Sequence, residues 1–220
     1  MADSSRQSAL DSPGRMGVRV QRKEKVMRTA KVERNTKETQ IVCELNLDGS
    51  GTAKVDTGVG FLDHMLNSFA RHGFFDLTLS VKGDLYVDCH HTIEDTGIVL
   101  GQAIKEAVGN KEGIKRYGSS LLPMDETLVL CAIDLSGRPY LNFDMTFTAE
   151  RVGYYDTEMV KEFFYAVSYA AGMNLHIKKM DGSNNHHLIE AAYKAFAKAL
   201  DEATMAEPRL TGTLSTKGTL

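Results

Sequence analysis

Apolar positions change period several times along the chain. Phe61, Leu62, Met65, Leu66 and Phe69 recur at helical spacing and predict a helix near 61–72. Ala191, Ala195, Phe196, Ala199 and Leu200 form a second stripe, on a helix that begins at the adjacent pair His186-His187. Leu77-Thr78-Leu79-Ser80-Val81 alternates with a period of two, as a half-buried strand does, and Leu175-His176-Ile177 is a shorter segment of the same kind. β-rich stretches punctuated by glycine cover 38–60 and 126–149, and a further helix is expected over 157–170.

The pattern is duplicated. Glu38-Thr39-Gln40-Ile41-Val42-Cys43 returns 88 residues later as Glu126-Thr127-Leu128-Val129-Leu130-Cys131. His90-His91-Thr92-Ile93-Glu94 returns 96 residues later as His186-His187-Leu188-Ile189-Glu190. Both halves keep the same order of elements, which chance similarity rarely preserves. The expected fold is therefore α+β: two ββαβα-like halves, 29–125 and 126–220, with sheets packed against helices. They join around Tyr117–Asp125. Residues 1–28, rich in Ser and basic side chains, read as a flexible tail. They lack the apolar stretch of a secretory signal, and Asp3 and Asp11 count against an organelle leader.

Charge and cysteine usage narrow the function. Twenty-six basic residues against 29 acidic ones give a net charge of −3, which argues against nucleic acid or a membrane surface as partner. No apolar run approaches the ~18 residues of a membrane span. Cys43, Cys89 and Cys131 are too few, and odd in number, for a disulfide framework. A reducing compartment follows: the cytoplasm, with a plastid as the alternative.

The duplicated HHxxE carries the chemistry. A lone histidine is ordinarily a core or surface residue; two copies opening equivalent helices are not. Positions i, i+3 and i+4 share a helix face, so Glu94 lies near His90 and His91, and Glu190 near His186 and His187. Adjacent histidines point about 100° apart and so serve two ions rather than one. Aligning the halves sets His64 opposite Glu162 on the preceding helices. Eight ligands result, four per metal: His64, His90, His91, Glu94, Glu162, His186, His187 and Glu190. Imidazole with carboxylate and no thiolate suits Mn²⁺, Fe²⁺ or Co²⁺ over structural zinc. Cys43 and Cys131 read as small core residues in strands.

Candidate anion ligands are weaker taken singly. Arg116 in GIKRYG and Arg138 in SGRPYL have forked guanidiniums that suit phosphate, but either could be a solvated loop charge. Lys194 follows Glu190 by one turn, which is also the spacing of an ordinary helix ion pair. Ser215-Thr216-Lys217-Gly218 offers hydroxyls, a cation and a flexible backbone, and alone would be a frayed terminus.

Together, ERNTKET, GVGFLDHMLNSFARHG, DCHHTIEDTGIVLGQA, NNHHLIEAAYKAFAKAL and STKG resemble the imidazoleglycerol-phosphate dehydratase family, from about Lys31 to Leu220. The resemblance implies the ribosomal protein S5 domain 2-like fold in duplicate and two Mn²⁺ per active site. It also implies ligands drawn from more than one chain, and trimers that assemble into 24-subunit shells. It implies the same eight metal ligands, with Glu162 standing where histidine is common. Substrate contacts would be Glu38, His64, His72, Arg116, Arg138, Lys194, Ser215, Thr216, Lys217 and Gly218. His176 has no ligand role and is read either as a partner behind the ligands or, preferred, as a core residue. The implied reaction dehydrates imidazole glycerol phosphate to imidazole acetol phosphate, in histidine biosynthesis. A base must take a proton from a carbon that no carbonyl acidifies; Glu38 is favoured, and Glu94 and Glu190 are the other candidates. A metal store or sensor would explain the His-Glu pairs but not the cations, and a dimetal hydrolase would use similar ligands.

Overall fold

The computed structural model describes residues 27–220. Most of the expected tail lies outside the described residues. Arg28, at its end, is anchored: its guanidinium makes a bidentate pair with Asp48, at 3.0 Å through Nε and 3.0 Å through Nη2, and Nη1 donates to the Thr204 carbonyl.

The first half runs β1 (Thr29–Asn35), β2 (Thr39–Asn46), β3 (Ala53–Asp56), α1 (Gly60–Gly73), β4 (Asp76–Gly83) and α2 (His90–Val108). The second runs β5 (Tyr117–Met124), β6 (Thr127–Asp134), β7 (Tyr140–Asp144), the short hairpin β8 (Arg151–Val152) and β9 (Tyr155–Asp156), α3 (Met159–Ala171), β10 (Asn174–Asp181) and α4 (Asn185–Thr204). The sheets have matching orders, β1-β2-β4-β3 and β5-β6-β10-β7. In each, the last-named strand pairs parallel with its neighbour and the other pairings are antiparallel. The sequence repeat is thus a repeat of topology, with β8–β9 as an addition to the second half.

Alternation builds both sheets. In β2, Thr39, Ile41, Cys43 and Leu45 are buried while Gln40, Val42 and Glu44 face out; in β6, Thr127, Val129, Cys131 and Ile133 do the same. Cys43 and Cys131 are therefore equivalent core positions, as expected, and burial pushes the Cys43 thiol up to about 12. Tyr117–Met124, read from sequence as the connector, is instead the edge strand β5, paired with β6 along its length. Its outward Leu121 and half-buried Leu122 blur the alternation that would have shown it. His176 is half-buried, not core: it lies on the outward face of β10, beside the Tyr140 ring at 5.7 Å.

Within each half the helices cover one face of the sheet. The halves meet through those helices, α1 against α4 and α2 against α3, so the two sheets lie outside. Phe69 of α1 stacks on Phe196 of α4, with centroids 5.5 Å apart, and both are fully buried. The α2–α3 contact depends on glycine. A Cβ on Gly97 would lie 2.8 Å from the Phe163 carbonyl oxygen, and one on Gly101 2.6 Å from that of Val167. Alanine at either position must push backbone apart. Overpacking should outweigh its better helix propensity, for a net loss of about 1–3 kcal/mol in Gly97→Ala or Gly101→Ala. Denaturant unfolding measures this; wild-type stability would show that the helices do not approach so closely.

Candidate metal centre and anion-binding residues

The second HHxxE opens α4. Asn184 caps the helix, its side-chain oxygen accepting from the backbone N–H of His186 at 2.9 Å and of His187 at 3.3 Å. His186 then faces back over its own first turn, and Glu190 Oε2 lies 3.2 Å from its Nε2. α1 supplies the third member: His64 Nε2 is 3.4 Å from the same carboxylate oxygen. Ligand atoms of His64, His186 and Glu190 all fall within 4.8 Å of one another. Phe61, which sequence reasoning passed over as core, sets its edge against His186 at 5.0 Å and against the buried Tyr155 at 5.4 Å.

Glu190 is nearly buried, and its other oxygen accepts from Lys194 Nζ at 2.6 Å. Burial pushes this carboxyl up, but the Lys194 ammonium and His64 more than offset it and hold the group below its ordinary range. Lys194 thus makes the i,i+4 helix pair with Glu190 beside the histidine cluster. His72 lies two turns along α1 from His64; burial and the charges of Lys194 and Lys198 push its pKa down.

The remaining ligand candidates are arranged in pairs. His90 Nε2 is 3.8 Å from Glu94. The planes of adjacent imidazoles are nearly perpendicular, at 79° for His90–His91 and 84° for His186–His187. The direct contacts are Glu94 with His90 and Glu190 with His186, and the Glu190 charge also acts on His187. The other ring of each pair turns away, His91 Nδ1 to Asp84 at 3.0 Å and His187 Nδ1 to Glu126 at 2.8 Å. These hydrogen bonds raise both histidine pKa values, and the His187 contact, helped by backbone N–H donors, holds Glu126 down at about 2. Glu38 is half-exposed and 3.9 Å from His91 Nε2. Glu162 sits in the first turn of α3, on the helix that packs against α2. Of the eight expected ligands, His64, His186 and Glu190 form the cluster of three found among the described residues.

The anion candidates gather elsewhere. Arg116 is buried and forms a bidentate pair with Asp134, at 2.7 and 3.1 Å, while Nη1 donates to the Leu214 carbonyl at 2.6 Å. It thereby ties the segment before Ser215 to the end of β6. Ser215 to Gly218 form an exposed turn closed by the Gly218 N–H on the Ser215 carbonyl at 3.1 Å. Arg138 is exposed in the neighbouring β6–β7 turn. A Cβ on the adjacent Gly137 would be 3.4 Å from Lys111 Nζ and 3.5 Å from the Leu220 carboxyl carbon, so the chain terminus returns to this turn. Asp134 ends β6, whereas Glu126, the partner of His187, immediately precedes its start. At ~3.3 Å per residue the two groups of candidates lie roughly 25 Å apart along one strand.

The imidazoleglycerol-phosphate dehydratase family profile matches residues 57–200. The chain is 73% identical over 193 residues to the imidazoleglycerol-phosphate dehydratase of Lachnoclostridium phytofermentans, covering 88% of this chain and 98% of that one. Against the enzyme of Acetivibrio thermocellus it is 58% identical over 193 residues, 88% of this chain and 99% of that one. Among solved structures, the Staphylococcus aureus imidazoleglycerol-phosphate dehydratase aligns with TM-score 0.74 and 42% identity, over 81% of this chain and 99% of that one. The Pyrococcus furiosus IGPD in complex with (S)-C348 aligns with TM-score 0.75 and 36% identity, over 86% and 100%. Duplicated fold, paired HHxxE helices and relatives agree: the chain belongs to the imidazoleglycerol-phosphate dehydratase family.

Proposed function

We propose that this chain dehydrates imidazole glycerol phosphate to imidazole acetol phosphate, for histidine biosynthesis in a reducing cytoplasm, at a two-Mn²⁺ site shared between copies of itself. The His64–His186–Glu190 cluster carries the reading. Two imidazoles and a carboxylate converge on one point from two helices, with no thiolate among them. That donor set fits a borderline divalent ion such as Mn²⁺. His64, His186 and Glu190 would hold one ion, and the pair His90–Glu94 with Glu162, His91 and His187 would complete the second and the remaining positions. The bound metals supply positive charge that lets the substrate's imidazole ring carry negative charge at neutral pH.

The protein's own groups do the rest. Glu38 is the base that takes the proton from the carbon chain; it is half-exposed and outside the ligand set. Lys194 and His72 place donors near the cluster, while Arg138, Lys217 and the Ser215–Gly218 turn bind the phosphate. Arg116 acts by anchoring that turn through Leu214. A separation of roughly 25 Å along β6 exceeds a substrate of this size, so metals and phosphate donors of one site come from different copies. This supports a homo-oligomer, with trimers building a 24-subunit shell.

Chelation should abolish activity and Mn²⁺ restore it. His186→Ala and Glu190→Gln should lower metal content and turnover by more than ~100-fold, since even groups behind the ligands are worth 10–100-fold. Elemental analysis beside a dehydration assay checks this, and full turnover by metal-free protein would refute it. Mixing His186→Ala chains with chains that end at Leu214, each inactive alone, should recover a measurable fraction of activity. No recovery from properly co-assembled chains would place metal and tail in one copy.

Metal binding should also depend on pH. The carboxylate neighbours of His91 and His187 favour the protonated rings, which cannot ligate, so Mn²⁺ affinity should begin to fall at a pH above the ordinary histidine value of about 6.5. If metal links copies, particle size falls with it. Light scattering across pH, with and without chelator, reads both; a monomer under every condition contradicts the shared site.

A further inference from the structure

His91 and His187 are the second members of the two HHxxE pairs, and each meets a carboxylate that belongs to neither ligand set. Asp84 Oδ2 is 3.0 Å from His91 Nδ1, and Glu126 Oε2 is 2.8 Å from His187 Nδ1. A carboxylate ionised at neutral pH only accepts hydrogen bonds, so Nδ1 must donate in both contacts. In a neutral ring the lone pair then sits on Nε2. Each Nε2 looks toward a different carboxylate, Glu38 for His91 and Asp125 for His187, both at 3.9 Å and beyond hydrogen-bond reach.

We propose that Asp84 and Glu126 are positioning residues that hold His91 and His187 as Nδ1–H tautomers and so present Nε2 for metal binding. The inference rests on the reading of both histidines as ligands. Glu126 is itself fixed. Glu126 Oε1 accepts from the backbone N–H of Asn184 at 2.9 Å and of Ser183 at 3.3 Å, in the turn that leads into α4. Asp84 sits at the end of β4 with its side chain only 11% exposed.

The duplication shows what has diverged. Glu126 is the repeat partner of Glu38, yet it is committed to His187 and the α4 turn. In the first half that work falls to Asp84, which follows β4 where Gly182 follows β10, 98 residues on. Relieved of the orienting role, Glu38 stays on the Nε2 side of His91, 54% exposed, where a group that moves protons is useful. One ancestral position therefore holds a positioning residue in one half and an acid–base residue in the other.

The test reads the proton directly. Protein labelled with ring-¹⁵N histidine, freed of metal and held at about pH 9 so that the rings are neutral, gives solid-state ¹⁵N spectra that distinguish the tautomers. His91→Gln and His187→Gln assign the two signals. Wild type should show Nδ1–H at both. In Glu126→Ala the His187 signal should move toward Nε2–H, and Glu126→Gln, whose amide oxygen still accepts, should keep the wild-type form. Asp84→Ala and Asp84→Asn should behave alike at His91. Mn²⁺ affinity by calorimetry should fall 10–100-fold in the alanine variants and recover in large part in the amides. Nε2–H in wild type, or alanine variants with unchanged tautomer and Mn²⁺ affinity, overturns the proposal. A wild type that binds no Mn²⁺ overturns the ligand reading beneath it, and is told apart because the tautomer is read without metal.

Discussion

The packing of α1 on α4 sets the position of everything else in the metal cluster. These helices come from opposite halves, and neither alone holds three ligands in one place. The fully buried stack of Phe69 on Phe196 fixes their separation. His64, about one turn and a half before Phe69, reaches Glu190 in the first turns of α4. Interiors are close-packed and yield little, so a change in that stack reaches the ligands with small loss. The other cross-half contact, α3 on α2, is closer, because Gly97 and Gly101 let the backbones approach.

Glu190 is the buried member of the cluster. One of its oxygens faces two imidazoles and the other an ammonium, so a nearly buried carboxylate has compensation on both sides. Removing a partner from a buried charge costs more than the pair contributes. Lys194 therefore belongs to the integrity of the site as well as to any contact with substrate. Phe61 makes a T-shaped contact with His186, with centroids 5.0 Å apart.

Much of this was legible in the sequence because it depends on local spacing. The 88- and 96-residue offsets, the i,i+4 pairs His90–Glu94 and His186–Glu190, and the divergent adjacent imidazoles all follow from the chain and helix geometry. What escaped depends on tertiary contact. β5 alternates too weakly to be recognised as a strand until β6 lies beside it. Asp84 and Glu126 had no motif of their own, although the match of Glu126 to Glu38 was the signal that could have singled one of them out. Arg116 looked like a free guanidinium because nothing in GIKRYG shows that Asp134 is its partner.

Strand β6 makes the strongest constraint on function. Its two ends serve different chemistries: His187 is held just before it begins, and the C-terminal segment is tied to Asp134 where it ends. A strand in a four-stranded sheet is effectively inextensible, so no loop motion within one copy closes that gap. On the proposed reading, a small substrate that needs both metal and phosphate donors finds them on different chains. In the proposed oligomer each copy lends its tail to a neighbour and borrows one in return. Closed symmetry lets every such exchange be satisfied at once, which an open pair of chains cannot do.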